Sequence, residues 1–119
     1  QLSNNDSAGE QDFHNYIINS WKFRRTYVVE HNKKIIAVGS LFLLPKLKGV
    51  VGQIEDVVVD KVFRGNYIGY TLCNILIEVA KKEKCYKVVL NCSKYNMSFY
   101  EKLNFVKFEE QMRLDLSYE

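Results

Sequence analysis

The chain has 119 residues, 47% of them hydrophobic and 26% charged, which fits one globular core and excludes a disordered composition or two ordinary domains. Seventeen basic against fourteen acidic side chains leave +3, enough to suit a small polyanion and too weak a bias to argue for nucleic acid. The longest apolar run, Ile35–Leu44, falls well short of the roughly 20 residues that cross a bilayer, so no membrane partner is expected.

Residues 1–11 are polar and aperiodic and read as a loose arm, with residues 12–119 as a single domain. No signal-peptide pattern opens the chain, which points to a cytoplasmic protein, and Gln1 suggests a trimmed start. Cys73, Cys85 and Cys92 form no CxxC, are odd in number and argue for reduced thiols. His14 and His31 are too isolated for a metal site, so no metal is expected.

From Asp12 as a cap, Phe13, Tyr16, Ile17 and Trp21 recur at helical spacing and predict a first helix, with Trp21 and Phe23 packing it onto a sheet. Thr26–Glu30 and Ile35–Leu44 predict an antiparallel hairpin across the polar turn His31–Lys34. Pro45–Gly52 reads as a loop, and Gln53–Asp60 as the next strand. A basic turn, Lys61–Asn66, then leads into a helix from Ile68 to Glu83, where Ile68, Leu72, Ile75, Leu76 and Val79 share one face. Lys87–Cys92 predicts a short strand and Asn96–Leu103 a short helix. Val106–Leu116 predicts a final strand, because Val106, Phe108, Met112, Leu114 and Leu116 keep period two. A strand–helix–strand unit beside hairpin strands implies a mixed α/β sheet, parallel at the crossover.

The chemistry is concentrated in Gln53–Gly69, where a strand ends in an Arg-Gly turn that opens directly into a helix. The first turn of a helix carries N–H groups without intrahelical partners and the positive end of the dipole, so Gly65 and Gly69 can bring backbone up to a pyrophosphate. The alternative is an ordinary strand-to-helix turn with a solvated Arg64, and the glycines alone do not decide between them.

The run Ile54-Glu55-Asp56-Val57-Val58-Val59-Asp60, then Arg64-Gly65-Asn66 and Gly69, then Cys85-Tyr86-Lys87 and Cys92, then Asn96 and Phe99-Tyr100-Glu101-Lys102, resembles the acyl-CoA-binding core of the GNAT-superfamily N-acetyltransferases. Within that superfamily it is most similar to the glucosamine 6-phosphate N-acetyltransferases. The resemblance weakens upstream to about Phe13, and Tyr67 stands where many members carry glycine.

The resemblance implies a GNAT-like fold with flanking helices, and acetyl-CoA as cosubstrate. The backbone of Val57, Val58 and Val59 would pair with the pantetheine amides. Arg64, Gly65, Asn66, Tyr67, Ile68, Gly69 and Tyr70 would hold the pyrophosphate, with Asn96, Phe99, Tyr100 and Lys102 also beside the cofactor. Tyr100 corresponds to the tyrosine that serves the leaving thiolate; a phenol of pKa ~10 is matched to a thiol of ~8.5. Its alternative is an amphipathic core residue beside Phe99.

Asn91 stands where several members carry a carboxylate and cannot act as a base, so it is assigned to orienting the amine while Glu55 or Asp56 accepts the proton. Strict alternation puts Glu55 on the face of Val57 and Val59, and a bulge would alter that. Lys46, Lys48 and Lys87 are candidates for a sugar phosphate, as is Arg113, two residues before the counted position of a family arginine that Asp115 occupies here.

The implied activity is acetyl transfer to D-glucosamine 6-phosphate by direct attack in a ternary complex. The implied assembly is a homodimer whose final strands serve both sites. The alternatives are another GNAT acetyltransferase acting on a protein N-terminus, a lysine or a polyamine, or a non-catalytic acyl-CoA-binding module. Cys92 itself reads as a small buried residue.

Overall fold

A computed structural model describes residues 13–118. Four antiparallel strands come first: β1 (Phe13–Trp21), β2 (Arg24–His31), β3 (Lys34–Pro45) and β4 (Val50–Val59). Helix α1 (Ile68–Lys82), strand β5 (Lys87–Val89) and the short helix α2 (Met97–Glu101) follow. The strands lie in the order β1-β2-β3-β4-β5, and β4 pairs with β5 in parallel, so the sheet is mixed and mostly antiparallel as expected.

The β2–β3 hairpin turns on Asn32 and Lys33, both at positive φ (51° and 64°), as a two-residue loop between right-twisted strands requires. α1 buries Ile68, Leu72, Leu76 and Ala80 against the sheet, and its Cys73 is buried as well. Its end is closed by Cys85 N–H to Ala80 O (3.0 Å) and Lys84 N–H to Lys81 O (3.1 Å), with Lys84 left-handed (φ 65°) where glycine is usual. Arg25 of β2 reaches Glu83 just past that end at 3.2 Å, tying the helix to the second strand.

Several expectations are corrected. Residues 13–21 form a strand, not a helix, and the proposed cap Asp12 and the arm 1–11 lie outside the described residues. The spacing of Phe13, Tyr16 and Ile17 fits a helix, but the segment pairs with β2 from Phe13↔His31 to Trp21↔Arg24, and a bulge between Ile17 and Asn19 disturbs its alternation. Trp21 is 61% exposed and packs edge-on to Phe23 rather than joining a helix to the sheet.

Residues 106–118 carry no strand. Period two supplies a face but no neighbour, and a strand exists only where another strand takes up its hydrogen bonds. Val106, Phe108, Met112 and Leu114 are consequently 76–92% exposed. The β5 strand also stops at Val89, leaving Asn91 and Cys92 in open chain.

Candidate active site

Strands β4 and β5 stay together for three pairs, Val51–Lys87, Gly52–Val88 and Gln53–Val89, and then part. Beyond Gln53 the β5-facing edge of β4 has no partner strand among the described residues, while β3 still pairs with its other edge at Val58 and Val59. This exposes main-chain donors and acceptors along Val57–Val59, where an extended amide chain can add as a strand.

The same stretch contains a bulge. Val38 pairs with Val58 and Ser40 with Glu55, so Gly39 faces both Asp56 and Val57, and Asp56 takes a left-handed φ of 57°. The bulge overturns the strict alternation: Val57 packs with Ile54 and Leu76 on the α1 side, whereas Glu55 lies with Phe42 and Leu44 on the opposite face.

Past β4, Asp60 closes a short 3-10 turn (Lys61–Phe63) by accepting from Val62 N–H at 3.0 Å. Arg64 Nε donates to Val59 O at 3.2 Å, so this side chain anchors the turn to the strand end. Gly65 sits at φ 90° with open space around its missing Cβ, and Tyr67 enters α1 at φ 61° with no side-chain capping bond. The N–H groups that open α1 thus remain available to an anion. A Cβ on Gly69 would stand 3.5 Å from Val59 and 3.7 Å from Phe99 of α2, so Gly69 faces the gap between the strand end and α2. These features fit a diphosphate held by backbone.

Tyr100 is half-buried, edge-on to Phe99 (4.9 Å between rings) and to Phe105 (6.0 Å). Burial pushes its phenol above the ordinary value, and the nearby thiols Cys73 and Cys92 add to the rise. Tyr100, Asn91, Lys46, Lys48 and Lys87 line one open cleft of about 1340 Å³. Cys92 lines it as well and is exposed, which corrects its assignment as a buried residue, because the chain leaves the sheet before reaching it. Lys48 and Lys87 lie over the Tyr86 ring at 5.3 and 5.6 Å, which holds two cations at the cleft wall.

Glu55 and Asp56 line a smaller hollow of about 250 Å³ with Phe42 and Leu44. Gln53 and Leu44 belong to both spaces, so the two carboxylates meet the cleft at Gln53. Arg113 joins neither: it is exposed and paired with Asp115 at 2.8 Å. Asn96 and Lys102 are exposed and line neither space. Sequence reasoning passed over Gln53 and Gly39, whose importance lies in register across a bulge rather than in residue type.

The family model described as "Acetyltransferase (GNAT) family" matches residues 2–105. The glucosamine 6-phosphate N-acetyltransferase of Trypanosoma brucei brucei is 46% identical over 86 residues, covering 70% of this chain and 58% of that protein. The enzyme of the same name from Schizosaccharomyces pombe is 34% identical over 111 residues, covering 87% of this chain and 92% of that protein. The crystal structure of glucosamine-6-phosphate N-acetyltransferase from Arabidopsis thaliana superposes with a TM-score of 0.76 at 37% identity, covering 79% of this chain and 67% of that one. The chain spans about half the length of several curated relatives, 50–58% for those from trypanosome, Candida albicans, rice, Dictyostelium discoideum and Arabidopsis at 40–46% identity. With the parted strands, the bulge and the uncapped helix start all within the matched region, the chain belongs to the GNAT family of acetyltransferases.

Proposed function

We propose that this chain transfers acetyl from acetyl-CoA to the amine of D-glucosamine 6-phosphate, giving N-acetyl-D-glucosamine 6-phosphate and CoA. The observation that carries this is the continuity of three features. The unpaired edge of β4 runs into the open first turn of α1, where Gly69 faces Phe99, and the next residue, Tyr100, lines the main cleft. The names of the relatives supply the acceptor, and Lys46, Lys48 and Lys87 in the same cleft suit its phosphate.

The thioester supplies an activated acetyl group and a thiolate leaving group. The residues of this chain do the rest. Backbone from Val57 to Val59 aligns the pantetheine arm, and the N–H groups from Gly65 to Tyr70 hold the diphosphate. Tyr100, kept protonated by its half-buried setting, donates to the departing sulfur. Asn91 offers an acceptor oxygen that orients the amine, and Glu55 takes its proton across the hollow at Gln53. Direct attack in a ternary complex needs no covalent acyl-enzyme.

The active form is a homodimer. Val106–Gln111 line the cleft, and the exposed, alternating apolar side chains from Val106 to Leu116 have no strand beside them among the described residues. A second copy would supply that neighbour and bring its own Arg113 to the phosphate. A reducing, cytoplasmic setting suits the free Cys73, Cys85 and Cys92.

The test is acceptor-dependent thiol release from acetyl-CoA, with sedimentation to read the assembly. Turnover with glucosamine 6-phosphate and negligible turnover with glucosamine is the expected result. Faster turnover on spermidine or a basic peptide would replace the acceptor. Binding of acetyl-CoA with no turnover on any amine would leave a binding module.

A further inference from the structure

Gln53 is the last residue of β4 that β5 still pairs, and Glu55 is the next residue on the same face of the strand. Ile54 between them points into the core with Leu41, Leu76 and Ala80. The side-chain amide of Gln53 donates from Nε2 to Oε2 of Glu55. Only the NH2 end of an amide can face a carboxylate this way, so the chemistry of the pair fixes the orientation of the amide.

Among the described residues, Gln53 gives Glu55 its side-chain hydrogen bond. Its cross-strand neighbour is Ser40, whose hydroxyl is already engaged by Thr26 Oγ1 at 2.8 Å. The next residue, Asp56, is turned into the left-handed region by the bulge and is exposed. Among the described residues no Lys or Arg forms an ion pair with Glu55. Untethered, this glutamate would spread over several rotamers at the mouth of an open hollow, and a proton acceptor must lie within hydrogen-bond reach of the group it serves. The donated bond occupies one carboxylate oxygen and leaves the other free at the hollow that adjoins the cleft through Gln53 and Leu44.

We propose that Gln53 is the positioning residue of this site: it fixes the Glu55 carboxylate at the point where the two strands part, so that the free oxygen meets the acceptor amine. The inference rests on the acyl-transfer reading given above, and it adds a residue that acts through Glu55 without touching the acetyl donor.

Gln53→Met keeps the length and removes the donor; Gln53→Asn keeps the amide and withdraws it by one methylene; Gln53→His returns an N–H at similar reach. Steady-state thiol release with glucosamine 6-phosphate should show kcat falling on the order of tenfold for the Met and Asn variants, within about threefold of the parent for His, and no change in the KM for acetyl-CoA. Unchanged melting temperatures would exclude a merely structural effect. Independently of activity, Glu55→Leu should shift the side-chain NH2 resonances of Gln53 in an amide-correlation NMR spectrum.

An active parent whose Gln53→Met variant keeps both kcat and acceptor KM overturns the positioning role, as do equal losses in the Met and His variants. Unmoved Gln53 resonances overturn the bond itself. A parent that releases no thiol with glucosamine 6-phosphate, yet shows the resonance shift, overturns the acceptor assignment and leaves the tether standing.

Discussion

Gly39 of β3 faces Val57 of β4 across the bulge, and a Cβ on Gly39 would stand 3.4 Å from Val57 Cγ2 and 3.3 Å from the tips of Leu72 and Leu76 on α1. The absence of a side chain at this one position lets Val57 turn inward and lets α1 lie close against the sheet. Both placements matter to the site, because Val57 belongs to the open strand edge and α1 carries the helix start. Gly39→Ala asks three flexible side-chain ends to yield by a few tenths of an ångström. Gly39→Val adds two methyls to a filled space, and overpacking of this kind costs about 1–3 kcal/mol. Chemical denaturation should show the larger loss for Val, and calorimetry should show weaker acetyl-CoA binding by Gly39→Val at temperatures where the variant is still folded. Equal affinity in the two variants would separate Gly39 from the site.

Much of this was legible in the residues before the fold was known. The α1 face was readable because Ile68, Leu72 and Leu76 repeat at helical spacing, and the Arg64-Gly65 turn because glycine before a helix is a local signal. The first strand was not. Phe13, Tyr16 and Ile17 satisfy a helical repeat as well as a strand, and only pairing with β2 decides, which is a non-local event. The bulge was equally hidden, since Asp56 adopts positive φ without the glycine that would announce it. Tyr100 was singled out through family resemblance, and the fold puts it on the cleft wall. Gln53 escaped because a glutamine on a strand looks like a solvated residue until Glu55 is seen beside it.

Tyr100→Phe removes a proton donor and leaves the half-buried ring in place. General acids contribute about 10²–10⁴-fold, and a thiolate is a good leaving group, so a loss near the lower end, ~10²-fold in kcat, is expected. Acetyl-CoA affinity should hold under the proposed binding by backbone. The pH profile gives the sharper check. Burial raises the phenol above its ordinary pKa of ~10, so the donor form persists through neutral and mildly alkaline solution and is lost only as pH climbs past that value. The wild-type profile of kcat should therefore show no alkaline fall below pH ~9. A fall in that range that survives in Tyr100→Phe would assign the proton to another group.

Gly69→Asp separates helix stability from anion binding. A Cβ there meets Val59 and Phe99 at ordinary contact distances, so Gly69→Ala should fold and serve as the control. A carboxylate in the first turn of α1 suits the positive end of the dipole and should stabilise the fold by about 0.3–1 kcal/mol. The same charge would stand against the diphosphate. Acetyl-CoA affinity by calorimetry should fall about tenfold or more, given Coulomb repulsion in a partly shielded site. A variant that is more stable and binds acetyl-CoA as the parent does would move the diphosphate away from this helix.

Cys73 gives the fold an alkaline weakness that can be measured without any ligand. Its thiol is fully buried on α1, and burial pushes its pKa up to about 11 from 9.0. The unfolded chain releases this proton near pH 9 while the folded chain keeps it to about 11, so between those values the native state binds more protons. Stability therefore falls as pH rises through that window, and the contribution is fully present below it. Two pKa units correspond to roughly 2–3 kcal/mol at about 1.36 kcal/mol per unit. Cys73→Ala removes the group from both states, along with the share of the Tyr100 rise that this thiol supplies. Urea denaturation at pH 8, 9, 10 and 11 should show the parent losing about 2–3 kcal/mol more than Cys73→Ala between pH 9 and 11. Parallel curves for the two proteins would place the thiol in contact with solvent instead of buried on α1.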